Sequence, residues 1–150
     1  MSLEISIRKI ENSDSGFVYQ SLCELENDTL DLQTFEEIFF ENITNPNYYY
    51  LIAENEKDKL GFISFHTQKL LHHSGIVGEI QEFYVNATSR NQGVGRKLIA
   101  EIRNYAQVNN LQSVEVTTNK KRTENVAIYQ NLGFTLSHNK FTIIKKQKSD

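Results

Sequence analysis

Apolar residues recur along this chain with two periods, and the points where the period changes divide it into elements. Leu3, Ile5 and Ile7 alternate with polar residues, the two-residue period of a half-buried strand. Ser13 and Asp14 are N-cap candidates for a helix carrying Phe17, Val18, Leu22 and Leu25. Leu32, Phe35, Ile38, Phe39 and Ile43 predict a second helix, which stops before Pro46 because a residue preceding proline disfavours helical angles. YYYLIAE and LGFISFHT, joined by polar Asn55 to Lys59, predict an antiparallel hairpin. The loop around His72 to Gly75 leads to a strand over Ile76 to Val85.

After Asn86 to Gln92 the period lengthens, and Val94, Leu98, Ile102 and Tyr105 share one face of a long helix. SVEVTT is a further strand, and a short helix over Thr123 to Asn131 ends near Gly133, where helices commonly place a left-handed residue. FTIIK predicts a last strand, with the tail KKQKSD frayed beyond it. The order of elements is that of an α/β layer fold with a mixed sheet.

The chain has 150 residues, of which 39% are hydrophobic, enough for one core and too few for two ordinary domains. Neither repeat nor Pro/Gly linker marks a boundary, so one domain over residues 1–150 is expected. A net charge of -3 supplies no general attraction to nucleic acid or anionic membrane. Cys23 is the sole cysteine, so no intramolecular disulfide forms, which suits a reducing cytoplasm. The N-terminal MSLEISIRKI alternates charged with apolar residues and reads as a strand, not a signal peptide. Nor is any segment apolar for long enough to span a membrane.

The turn Arg90-Asn91-Gln92-Gly93-Val94-Gly95 lies between the strand ending at Val85 and the helix carrying Leu98. Glycines at a helix start leave backbone N–H groups uncovered, so a pyrophosphate can approach them with the helix dipole favouring its charge. Arg90 and Arg96 add candidate charge-assisted contacts. The same letters also fit a turn that merely starts a helix. A dinucleotide site would need a third glycine and an acidic residue at the end of a following strand, and that pattern is missing.

With R-x-x-G-x-G after a strand ending in Phe83-Tyr84-Val85, and Tyr129-Gln-Asn-Leu-Gly133-Phe134 downstream, the chain resembles the GNAT superfamily of acetyltransferases. The resemblance implies acetyl-CoA as cosubstrate, its pyrophosphate held by backbone N–H groups of Gln92 to Arg96. It also implies that Phe83, Tyr84 and Val85 pair with the pantetheine arm like an added strand. An alkylammonium must lose a proton before attacking a thioester, and the departing thiolate gains from receiving one, so a base and an acid are wanted. Glu79 stands where some superfamily members carry a glutamate base, and Glu82 is the reserve; strand periodicity sends the two to opposite faces unless a bulge intervenes. Tyr129 stands where the superfamily often carries a tyrosine that protonates the sulfur. Asn125, four residues earlier, departs from the small residue usual there.

Longer strings resemble the aminoalkylphosphonate N-acetyltransferases of bacterial phosphonate metabolism. These are CEL at Cys23 to Leu25, F-x-x-N-x-x-x-P at Phe39 to Pro46, His66 with LHH at Leu71 to His73, GEIQE at Gly78 to Glu82, TN-x-KR at Thr118 to Arg122 and SH-x-K-F-T at Ser137 to Thr142. The resemblance implies a small primary amine as acceptor and an association with a divalent cation, for which His66, His72 and His73 are the candidate ligands. A phosphonate dianion wants cationic donors, and Lys120, Lys121, Arg122, His138 and Lys140 are the candidates. Direct transfer is expected, since Cys23 on a predicted helix gives little support to a covalent acetyl-enzyme. Polyamines, aminoglycosides, protein N-termini or lysines are alternative acceptors, and an acyl-CoA-binding regulatory module is the non-enzymatic alternative. Superfamily members are often dimers, which makes a homodimer the expected assembly.

Overall fold

A computed structural model describes residues 3–144 and 146. The chain divides into two compact units, Met1–Thr117 and Thr118–Asp150. In the first, β1 (Ser6–Lys9), β2 (Tyr48–Glu54), β3 (Lys59–Leu70), β4 (Gly75–Val85) and β5 (Ser113–Val116) form one sheet in sequence order. Neighbours pair antiparallel except β4 and β5, which are parallel. Parallel strands cannot be joined by a tight turn, and α3 (Val94–Val108) supplies the crossover.

Strand alternation sends the core to both faces of the sheet. On one face Ile52, Phe62 and Tyr84 pack with Val18 of α1 (Ser15–Glu26) and Phe39 of α2 (Leu32–Asn42). On the other, Tyr105 of α3 stacks on Tyr49 and meets Phe65 edge-on, with Leu98 and Ile102 fully buried below. The close approach of β4 requires glycine at Gly78, where a Cβ would overlap the Phe65 ring.

Asp14 is fully buried and ties the start of α1 to the sheet. It accepts from both Arg8 terminal nitrogens at 2.8 and 2.9 Å, from the Glu11 amide at 2.7 Å, and pairs with Lys59 at 2.7 Å. Burial alone would raise its pKa, but these donors outweigh that effect and hold the carboxyl far below the usual carboxylate range. The capping candidate is thus also the centre of an ion cluster that joins residues remote in sequence.

The second unit holds α4 (Glu124–Asn131), closed by left-handed Gly133 at φ 100°. Asn125 donates to Thr118 Oγ1 at 2.8 Å, so the polar residue that departs from the usual pattern ties α4 to the segment leading into it. The expected last strand is not found over residues 141–144, and Lys145 lies outside the described residues. Phe141, Ile143 and Ile144 have strand-forming side chains, but a strand persists only against a partner edge, and this unit has no other strand among the described residues. Of the expected frayed tail, only Lys146 is described.

Candidate active site

Three features of the first unit meet around the end of β4. The first is the opening of the sheet. β4 pairs with β5 only from Val77 to Ile80, whereas its pairing with β3 continues to Val85. β4 therefore runs on from Gln81 to Val85 beyond the end of its pairing with β5, a place where an extended ligand arm can lie along the sheet.

The second is the helix start beside that edge. Asn91 and Gly93 are both left-handed, at φ 64° and 84°, and Gly93 is the N-cap of α3. No side chain caps this helix, unlike α2, whose N-cap Asp31 accepts from the Thr34 amide. The first-turn amides of α3 are oriented for an anion, as at any helix N-terminus. A Cβ on Gly95 would stand 3.1 Å from Phe83 and 3.8 Å from Val85, so the turn and the end of β4 adjoin. Arg90 donates from Nε to the Val85 carbonyl at 3.3 Å, and Gln92 to the Thr88 carbonyl at 3.3 Å, which pins the turn to the segment before it. Val94 is buried beneath. Tyr84 contributes only backbone here: its ring is in the core and its hydroxyl donates to Glu24 at 2.8 Å, with burial first and that carboxylate second pushing its pKa up to about 12.

The third is a pair of carboxylates. Ser64 pairs with Glu82 and Phe65 with Ile80, so Gln81 is an extra residue in β4. This bulge reverses the expectation from simple alternation. Glu79 lies opposite His66 and Glu82 opposite Ser64; His66 and Ser64 are two residues apart on β3, so both glutamates belong to the α1/α2 face. Glu79 bonds Thr117 Oγ1 at 3.0 Å and accepts from Gln81 at 3.3 Å. Glu82 is anchored by Ser64, whose hydroxyl donates to the carboxylate while accepting the Glu82 amide at 2.9 Å. Burial raises the Glu82 pKa, Ser64 opposes the rise and Glu26 adds to it.

A cleft of about 370 Å³ opens on this face between α1, α2 and the strands, with Glu82, Tyr50, His66 and Asn42 on its polar side. Tyr50 Oη lies 2.7 Å from His66 Nε2 and accepts from Asn42 at 2.9 Å. His66 also stacks on Tyr48 at 3.6 Å between centroids, and burial lowers its pKa against the pull of Glu79. Sequence marked Asn42 only as part of the string from Phe39 to Pro46 and offered no signal for Tyr50 or Ser64, because each meets its partner only through strand pairing or helix packing.

The three histidines do not converge. His66 lies four strand residues before Leu70, roughly 13 Å along an extended chain, while His72 and His73 sit on the exposed turn beyond, their rings 4.4 Å apart. Among the described residues no group of three or more His, Cys, Asp or Glu is placed to hold a metal ion. A centre made of all three histidines does not fit this geometry.

In the second unit, the turn 119–122 is held by the Asn119 side chain, which accepts the Lys121 amide at 2.9 Å, and by the Asn119 carbonyl, which accepts the Arg122 amide at 2.9 Å. It carries Lys120, Lys121 and Arg122. His138 Nδ1 lies 2.6 Å from Ser137 Oγ, and Lys140 is exposed. Tyr129 is half-buried and edge-on to Phe134 at 5.7 Å; burial raises its pKa and Arg122 opposes the rise, so the phenol keeps its proton at neutral pH.

Residues 13–134 match the Acetyltransferase (GNAT) family, a span that includes parts of both units. The chain belongs to this GNAT acetyltransferase family. It is 35% identical over 136 residues to the aminoalkylphosphonate N-acetyltransferase of Salmonella typhimurium, covering 91% of this chain and 88% of that protein. Solved GNAT-fold structures superpose well. A glucosamine-6-phosphate N-acetyltransferase from Arabidopsis thaliana matches with a TM-score of 0.78 at 20% identity, covering 95% of this chain and 99% of that one. An aminoglycoside N-acetyltransferase in complex with CoA matches with a TM-score of 0.85 at 16% identity, covering 97% of each. The GNAT assignment makes the chain an acetyl-CoA-dependent N-acetyltransferase with a mixed sheet flanked by helices. No helix among the described residues is long and apolar enough to cross a membrane.

Proposed function

We propose that this GNAT enzyme transfers the acetyl group of acetyl-CoA directly to the primary amine of a small aminoalkylphosphonate. The observation that carries the acceptor is the 35% identity, over 91% of the chain, to a protein of that activity. In this reading the amides from Gln92 to Arg96, assisted by Arg90 and Arg96, hold the pyrophosphate. Phe83, Tyr84 and Val85, beyond the last β4–β5 pair, take the pantetheine arm, and Asn91 supports the turn by its left-handed backbone.

Glu79 takes the ammonium proton, through a water, and Tyr129 returns one to the thiolate. Support for Glu79 comes from its place near the end of the β4–β5 pairing and from its partial exposure to solvent. Glu82, more deeply set, lies on the same face and favours the approach of a cation. Lys121, Arg122, His138 and Lys140 supply the charge a phosphonate requires, Lys121 and Arg122 being presented by the Asn119 turn.

The test is free-thiol release from acetyl-CoA with 2-aminoethylphosphonate or ethylamine as acceptor. The phosphonate is expected to be turned over far better, because an anchor remote from the reacting amine supplies orientation as well as affinity. Replacing Arg122 by Ala should raise the KM for the phosphonate selectively. Indifference to the phosphonate group removes the acceptor assignment and leaves the acetyltransferase itself in place.

A further inference from the structure

Tyr84 is a core residue with a polar end. It is only 4% exposed, and its ring lies edge-on to Phe17 of α1 at 6.4 Å and tilted against Phe62 of β3 at 6.3 Å. Phenylalanine would fill the same space without a hydroxyl to satisfy. The hydroxyl instead donates, at 2.8 Å, to the carboxylate of Glu24, an exposed residue of α1. Burial first, then Glu24, pushes the Tyr84 pKa up to about 12, so the hydroxyl stays a donor at neutral pH. Arg90 opposes the rise, which places its guanidinium within electrostatic reach of the bond. A charge-assisted bond of this kind is stronger than one between neutral groups, and it fixes the ring and the backbone that carries it.

The neighbours of Tyr84 on β4 serve the other face of the sheet. Strand alternation turns Phe83 and Val85 toward α3, where a Cβ on Gly95 would stand 3.1 Å from the first and 3.8 Å from the second. The first turn of α3 therefore rests on the two residues that flank Tyr84. Arg90 adds a second link, since its Nε donates to the Val85 carbonyl at 3.3 Å. Packing this close leaves no slack in which β4 could shift without moving the turn. We infer that Glu24 is a positioning residue for acetyl-CoA: by holding the Tyr84 hydroxyl it sets the depth of Phe83 to Val85 in the sheet, and with it the spacing between that strand and the turn before α3. The inference rests on the proposed placement of the cofactor on this strand and turn. A carboxylate has the wrong charge to attract a pyrophosphate, so any help Glu24 gives to binding passes through the hydrogen bond.

Calorimetric titration of the intact protein with acetyl-CoA, beside urea unfolding of the same variants, is the test. Glu24→Ala and Tyr84→Phe are each expected to raise Kd roughly three- to thirtyfold, the range for residues that act without touching the ligand. Combined, they should cost no more than the larger single loss, since both remove one bond. Glu24→Gln keeps an acceptor oxygen for the hydroxyl and removes the negative charge, so its Kd should match the wild type or tighten. Unaltered Kd in Glu24→Ala and Tyr84→Phe, with any loss confined to unfolding, makes the bond structural alone and overturns the inference. Equal Kd values for Glu24→Ala and Glu24→Gln do the same, because charge and not the bond would then be responsible. Gly93→Ala distinguishes a failure of the cofactor placement itself. Wild-type affinity there removes the turn and this inference with it, whereas weakened binding there, with Glu24→Ala and Tyr84→Phe unaffected, removes only the role of Glu24.

Discussion

Gly93→Ala isolates the contribution of the α3 turn to acetyl-CoA binding. Gly93 has φ 84° and ψ 7°, and a Cβ built there meets no atom within 4 Å. The cost to folding is therefore backbone strain without a clash, about 1–2 kcal/mol, less the few tenths or more recovered from a stiffer unfolded chain. For a chain of this length, about 1 kcal/mol lowers Tm by about 2–4 °C. The added methyl also enters the open space at an uncapped helix start. If it deprives the pyrophosphate of one charge-assisted hydrogen bond, worth about 1.5–3 kcal/mol, Kd for acetyl-CoA rises roughly ten- to hundredfold. Gly93→Asn is the paired variant, since asparagine tolerates left-handed angles, so strain diminishes while the obstruction persists. The assay is calorimetric titration of acetyl-CoA at fixed salt, beside thermal unfolding of the free protein. A lowered Tm with wild-type affinity in both variants would refute the placement of the phosphate on this turn.

Two further outcomes follow from the carboxylates. Glu79→Gln should lower kcat by roughly 10²–10⁴ with acetyl-CoA affinity retained, the deficit shrinking as pH rises and free amine becomes commoner; a larger loss in Glu82→Gln, read from the same pH–rate profiles, would transfer the base role to Glu82. Asp14→Asn should cost about 3 kcal/mol in urea unfolding, because Arg8 and Lys59 lose a buried partner. Since the folded pKa of Asp14 is depressed, its contribution is complete above the ordinary carboxylate value of about 4 and is lost as pH falls below it. Equal stability of the wild-type and Asp14→Asn chains at pH 7, or a stability difference that does not narrow in acid, would contradict this.

Much of the fold was legible because each element buries one face and so writes its own period into the chain. Val94, Leu98 and Ile102 mark α3 by helical spacing, and all three are buried as that spacing requires. The turn before it was legible because left-handed backbone and an approachable helix start both demand glycine locally, and Gly93 is indeed left-handed. The missing strand at 141–144 marks the limit of such reasoning. Side-chain preference there favours a strand, but hydrogen bonding needs a neighbouring edge that no local pattern specifies.

Local sequence thus determined the order of elements from β1 to α4, the glycine turn before α3 and the family, since these depend on residues close together in the chain. Tertiary structure decided which side chains share a face. One extra residue at Gln81, visible only in the register against Ser64 and Phe65, puts Glu79 and Glu82 on the same side of the sheet. The extended path of β3 separates His66 from His72 and His73, although the three are near in sequence, while pairing with β2 sets His66 against Tyr48 and Tyr50. The cleft exists only because α1 and α2 cross that face and leave Leu22, Phe35 and Phe62 around a space opening toward Glu82. Period and spacing act along the chain, but register and packing act across it, and the chemistry of this site depends on the latter.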